Sequence, residues 1–199
     1  QEELFRAFDI DSRNKRKLFS RNLKVMQAAW SGMPIGEDGP ALSPLPYQRN
    51  GPPLWVAAFG PLALKQVAQL GLPYLASPME DIDTLRSNYE VHQTLLAEAD
   101  KPPTKTVPVM RTVFVHRDRT TREQLATALQ KQARAFGREN DGDIDSWTLI
   151  GEPSYVRDKM AEYQERLGMT HLIASGRLPG LGKAEVLDSH THLASLQGT

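Results

Sequence analysis

Three observations predict an α/β fold built on parallel strands. First, short runs that are apolar on both faces recur along the chain: "LWVAA" (54–58), "PYLAS" (73–77), "VMRTVFV" (109–115) and "HLIAS" (171–175). Continuous rather than alternating hydrophobicity marks strands covered on both sides, as in parallel sheets. Second, the segments between them carry apolar residues at helical spacing. Third, strand and helix follow one another in strict rotation, which right-handed crossovers wind into a barrel or an open sheet. A closed (β/α)₈ barrel needs eight strands and typically about 250 residues. With 199 residues and four such runs, the chain is either a small open sheet or half a barrel. It reads as a single domain over residues 1–199.

The helices can be placed by their faces. Phe19, Leu23, Met26 and Trp30 share one face, as do Ile82, Leu85, Tyr89 and Leu96. Leu125, Leu129, Ala133 and Phe136 form a third face, and Val156, Met160, Tyr163 and Leu167 a fourth. Thr120 and Glu123 have the spacing of a capping box before the third helix. Pro153 suits a first helical turn, where its missing N–H has no intrahelical partner to lose. Residues 31–53 are rich in Gly and Pro and predict a long surface loop.

Composition removes several function classes. Lys plus Arg and Asp plus Glu number 24 each, so no excess of cations is available to displace counterions from a nucleic acid. The basic run Arg13–Lys17 reads as the solvated lead-in to a helix. The chain has no Cys, which excludes disulfides and thiolate catalysis and is compatible with a cytoplasmic setting. No apolar run approaches membrane-spanning length and nothing resembles a signal peptide. The first residue is Gln1 rather than Met, which reads as a cut, processed or partly recovered chain.

The segment "PPLWVAAFGPLALKQVAQLGLPYLASP" (52–78) carries a single charge, Lys65, and turns abruptly from strand to helix at Gly60-Pro61. A helix N-terminus offers unpaired N–H groups and a partial positive charge, so it is a natural seat for a phosphate. Gly60 lets a ligand approach the backbone, and small Ala58 keeps the strand end open. Spacing alone is equally compatible with a plain helix start, because the turn is neither a Walker nor a G-x-G-x-x-G motif.

A series of segments in fixed order is more specific than any one of them. "EELFRAF" (2–8), "NLKVMQAAWSG" (22–32), "PPLWVAAFGPLALKQVAQLG" (52–71), "VMRTVFVHRD" (109–118), "IGEPSYVRDKMAEYQERLGMTHLI" (150–173) and "SGRLPGL" (175–181) together run through most of the chain. This order resembles the C-terminal half of the luciferase-like monooxygenases, flavin- and deazaflavin-dependent oxidoreductases on a TIM barrel. The resemblance implies a partial barrel made of the C-terminal βα units, with the N-terminal half outside this sequence. It implies a flavin-dependent monooxygenase or oxidoreductase that uses reduced FMN from a partner flavin reductase to oxidise a small organic substrate. It places the cofactor at Ala58, Phe59, Gly60, Pro61 and Leu62, and the substrate at Gly176 and Arg177, the latter either a clamp for an acid group or a plain surface-loop arginine. A catalytic residue is not identified.

Two departures accompany the resemblance. Glu152 stands where the family usually has Thr or Ser, so the following helix loses a good cap. Phe59 stands where many flavin-dependent members carry a phosphate-binding Ser, which leaves the backbone N–H groups around Gly60 to hold the anion. A deazaflavin-dependent dehydrogenase of the same family fits this turn about as well. A shortened, non-catalytic binding protein is the alternative from a different class. Half a barrel alone is expected to be inactive, and to associate with another copy or with its missing half.

Competing constellations are weaker, and no metal site is expected. "LDSHTHL" (187–193) has two histidines, His190 and His192, at amidohydrolase spacing, but only seven residues follow. It reads as a tail or helix start. Asp141, Asp143, Asp145 and Glu152 fall at EF-hand positions, yet Ser146 occupies the place of the turn glycine. That stretch reads as a polar loop before a helix. His171 reads as a hydrogen-bonded core histidine, and His116 as part of a turn.

Overall fold

The computed structural model describes residues 2–135, 143–175 and 178–196, which fall into two compact units, Gln1–Leu54 and Trp55–Thr199. The first contains helix α1 (Glu2–Ala7), a 3₁₀ turn started by the Asp11 carboxylate, and helix α2 (Lys15–Trp30). Arg13–Lys17 are exposed, and residues 31–53 carry neither helix nor strand, both as the sequence predicts. The expected apolar face of α2 is only partly covered. Leu23 and Ala29 are buried, while Phe19 and Met26 are 41% and 45% exposed.

The second unit alternates strands and helices: β1 (Val56–Ala57), α3 (Pro61–Gln69), β2 (Tyr74–Leu75), α4 (Ile82–Glu98), β3 (Pro108–Val115), α5 (Arg119–Ala135), β4 (Thr148–Gly151), α6 (Pro153–Leu167), β5 (His171–Ser175) and α7 (Lys183–Ser195). All strand pairs among the described residues are parallel. Val56 and Ala57 lie opposite Tyr74 and Leu75. In a separate sheet of order β4-β3-β5, Thr112–Val115 pair with Thr148–Gly151, and Pro108–Thr112 pair with His171–Ser175. Strand β4 was not expected. Its four residues lie within the stretch 141–152 that reads as a polar loop, which corrects that reading for Thr148–Gly151; a run this short has no periodicity of its own.

Local chemistry explains the helix ends. Asp81 accepts from the Thr84 N–H (2.8 Å) to start α4. Helix α5 is started by Asp118, which accepts from the Thr121 N–H (2.7 Å), not by Thr120 as the capping-box spacing suggests. Glu123 instead binds Arg119, one turn earlier, at 2.7 Å. Glu152 makes no side-chain cap on α6, and the helix relies on Pro153 in its first turn and on left-handed Gly168 at its end.

Because strand side chains alternate, β3 builds two cores. Val109, Val113 and Val115 pack with Leu64 and Val67 of α3, Leu85 and Tyr89 of α4, and Val156 and Tyr163 of α6. Phe114, on the other face, packs with Leu125 and Leu129 of α5 and with Ile144 and Ile150. Helix α5 therefore covers the side of the sheet opposite α4 and α6. Phe136, assigned to its apolar face, lies outside the described residues. No helix among the described residues is long and apolar enough to cross a membrane.

One buried histidine makes stability depend on pH. His92 of α4 is 1% exposed, its ring 6.0 Å from that of Tyr74, and its Nε2 has no hydrogen-bond partner among the described residues. Burial holds its pKa below the ordinary value of 6.5, although a backbone bond at Leu72 offsets this in part. As pH falls through 6.5 the unfolded chain takes up a proton that the native chain refuses, so stability declines until the lowered native pKa is reached. The His92 contribution to the slope is at most about 1.4 kcal/mol per pH unit. Denaturant titrations between pH 5 and 7 should show His92→Phe with a flatter dependence than wild type. Identical slopes would remove His92 as the cause.

Candidate functional site

Ligands of parallel α/β sheets sit beyond the C-terminal ends of the strands, where the βα loops gather. In the larger unit these ends are Ala58–Gly60 after β1, Ser77–Glu80 after β2, His116–Asp118 after β3, and Ser175 at the end of β5.

The first of these turns is geometrically distinctive. Gly60 has φ 78° and ψ 170°, a conformation essentially closed to residues with a Cβ. The glycine is thus required by the backbone itself and not only for a ligand's approach: any side chain there would bring a strain of roughly 1–3 kcal/mol. A Cβ at Gly60 would meet nothing within 4 Å, so open space lies before the turn. The first helical bond of α3 runs from the Leu64 N–H to the Gly60 carbonyl (3.1 Å), and the N–H groups of Leu62 and Ala63 precede it. Phe59 and Leu62 are 67% and 64% exposed beside them. Ala58 differs from its expected role: at 4% exposure its methyl packs into the core rather than holding the strand end open.

The second turn is held by a buried cation. Arg111, in the middle of β3, is fully buried. Its Nε donates to the Tyr163 hydroxyl (3.0 Å), Nη1 to the Ser77 carbonyl (3.2 Å), and Nη2 to the Glu80 carbonyl (2.7 Å). The Glu80 carboxylate accepts from the Tyr74 hydroxyl and the Ser77 N–H, both at 3.3 Å. Residues 77–80 are thereby fixed from both sides. Sequence reasoning passed over Arg111, although a lone charge within "VMRTVFV" is itself a signal, since a buried charge must find partners.

On the α5 side of the sheet, the fixed loop borders a cavity of about 160 Å³. Met79 from the loop, Thr112 of β3 and Ser175 of β5 line it, together with Leu129 and Gln132 of α5 and Trp147. Leu129 belongs to a predicted helix face and Ser175 to a predicted strand, but no sequence pattern joins the lining, because five different segments supply it.

His116 stacks on Phe114 (5.3 Å) and accepts from the Asp118 N–H, as befits a turn. His171 is exposed at the start of β5, against Trp55 (4.9 Å) and hydrogen-bonded with Thr170, so it is not a core histidine. It lies at the end of the strand away from the loops described above. His190 and His192 lie within α7 rather than in a tail or at the helix start. Asp143 starts a 3₁₀ turn through the Asp145 N–H, and no group of three metal-ligating side chains occurs among the described residues. Asp141, Gly176 and Arg177 lie outside the described residues.

The luciferase-like monooxygenase family model matches residues 1–171. The structure is similar to that of monooxygenase RslO1 from Streptomyces bottropensis, with a TM-score of 0.76 at 17% identity over 97% of this chain and 64% of that one. It is also similar to the oxygenating constituent of 3,6-diketocamphane monooxygenase from Pseudomonas putida, in complex with FMN (TM-score 0.56, 18% identity, 78% of this chain and 55% of that one). A third likeness is to the coenzyme F420-dependent tetrahydromethanopterin reductase of Methanopyrus kandleri (TM-score 0.51, 15% identity, 83% and 59%). A search of curated protein sequences finds no match. The chain thus has the fold of a partial TIM-type barrel and spans less than two thirds of the length of these structures.

Proposed function

The chain belongs to the luciferase-like monooxygenase family, and from that premise we propose that the whole protein is a flavin-dependent monooxygenase acting on a small organic substrate. The observation that carries this reading is the Gly60 turn: an open helix N-terminus at the C-terminal end of a parallel strand, in a conformation that demands glycine. The N–H groups of Leu62 and Ala63 would receive the FMN phosphate, with that of Gly60 beside them. Exposed Phe59 and Leu62 would flank it, and Pro61 would fix the first helical turn. When bound, reduced FMN supplies the electrons for activating oxygen. The chain's part is to seat the phosphate, hold the loops and keep water from the substrate.

Residues 1–199 form, on this reading, the C-terminal half of one barrel domain, since the family match crosses both compact units. Exposed Leu4, Phe8, Phe19 and Met26 would be covered by the remainder of the barrel or by a second copy, and a flavin reductase would supply reduced cofactor. Residues 1–199 alone would then lack activity. The likeness to an F420-dependent reductase supports a second reading, hydride transfer with a deazaflavin. Oxygen uptake with reduced FMN separates the two.

Because Gly60 is needed by the backbone, its substitution cannot isolate the ligand. Leu62→Glu can. An acidic residue in the first turn favours the helix by about 0.3–1 kcal/mol, so the fold is retained. The same charge opposes a phosphate dianion about 5 Å away by somewhat over 1 kcal/mol, which weakens FMN about tenfold. Riboflavin, which lacks the phosphate, should bind the variant as it binds wild type. Equal FMN affinity in the two proteins would remove the phosphate from this turn.

A further inference from the structure

We propose that the cavity beneath α5 is a binding site for an uncharged organic molecule about one ring in size. That this molecule is the substrate rests on the flavin reading above; that the site takes such a ligand does not.

Size, lining and position each contribute. A cavity of about 160 Å³ is on the scale of one of about 150 Å³ known to hold benzene, so a single ring fills it. Met79, Leu129 and Trp147 give it an apolar lining, with an aromatic ring among them. Thr112, Gln132 and Ser175 add neutral polar groups, the pattern of a pocket that takes a mostly apolar ligand and orients it by a few hydrogen bonds. No charged side chain is among the described residues that line it. A carboxylate entering such a site would lose its hydration without gaining a counter-charge, and is rejected on that ground.

The cavity also has the rigidity that selection by shape requires. Its loop wall is held through the Ser77 and Glu80 carbonyls by Arg111, which approaches from the opposite face of β3 and spends its donors there. The guanidinium therefore fixes the wall without placing a donor in the cavity.

The test uses the purified protein without flavin, titrated by calorimetry with phenol, toluene and benzoate. Phenol and toluene should bind, and benzoate at least tenfold more weakly than either. Ala133→Leu, which fills the cavity from α5, should weaken phenol and toluene at least tenfold. Ser175→Val should weaken phenol and spare toluene, a pattern that misfolding cannot imitate. The proposal is overturned if phenol and toluene fail to bind the folded protein, or if they bind Ala133→Leu as well as wild type. It is equally overturned if benzoate binds as tightly as phenol; loss of that benzoate binding in Arg177→Ala would assign the site to an anion clamped by the arginine. A parallel FMN titration reads the flavin assignment separately. Ring binding without FMN binding supports the cavity and sinks only its role in a flavin enzyme.

Discussion

Arg111→Met is expected to lower the stability of the protein by about 3 kcal/mol, from the cost of roughly 1–3 kcal/mol for each buried polar group left unpaired. Methionine fills much of the same space but donates nothing, so the Tyr163 hydroxyl and the carbonyls of Ser77 and Glu80 lose their partners together. One term opposes the loss: the variant no longer holds a cation in the interior. For a chain of this size the melting temperature should fall by about 6–12 °C. Arg111→Lys should recover only part of it, because an ammonium cannot reproduce a planar fork that reaches the Tyr163 hydroxyl and the carbonyls of Ser77, Glu80 and Met110 at once. Hydrogen exchange provides the specific readout. The amides of Ser77, Met79 and Glu80 should lose protection in both variants, more than those of β5. A melting temperature within about 2 °C of wild type, less than 1 kcal/mol is worth, would mean that the buried guanidinium does not hold the loop.

Phe114→Ala should cost about 3–5 kcal/mol, the range for truncating a fully buried aromatic side chain. Phe114 is fully buried and central to the contact between β3 and α5, with Leu125 and Leu129 against it. The loss should be local as well as large. Amides of α5 should exchange faster, while those of α4 and α6, which pack on the opposite face of β3, keep more of their protection. Leu129→Ala combined with Phe114→Ala should destabilise by less than the sum of the single variants, since the two side chains share one cavity once either is gone. Equal loss of protection in α4, α5 and α6 would contradict the two-sided arrangement of the sheet.

Much of this molecule was legible in its residues. The order of strands and helices follows from apolar runs broken by helical periodicity, and that period reports burial directly: Leu85, Tyr89 and Leu96 fall on the buried face of α4, as Val156 and Tyr163 do on α6. The family could be read because the segments keep their order, whatever each lacks alone. Gly60-Pro61 stood out because a backbone that leaves the ordinary φ range announces itself in residue type. Other features depended on parts far apart in the chain. Strand β4 exists because Thr148–Gly151 find the free edge of Thr112–Val115, and four residues carry too little pattern to reveal a partner 36 positions earlier. The start of α5 turned on which of two nearby residues takes the cap, Asp118 through the Thr121 amide or Thr120 through that of Glu123, and only the folded chain decides for Asp118. The cavity needed the loop after β2, the middle of β3, the end of β5, helix α5 and Trp147 at once. A sequence determines periodicity, punctuation and order because these are local properties of the chain. The partner of a buried charge and the walls of a cavity are non-local, and only the folded arrangement of Arg111, Ser77 and Trp147 decides them.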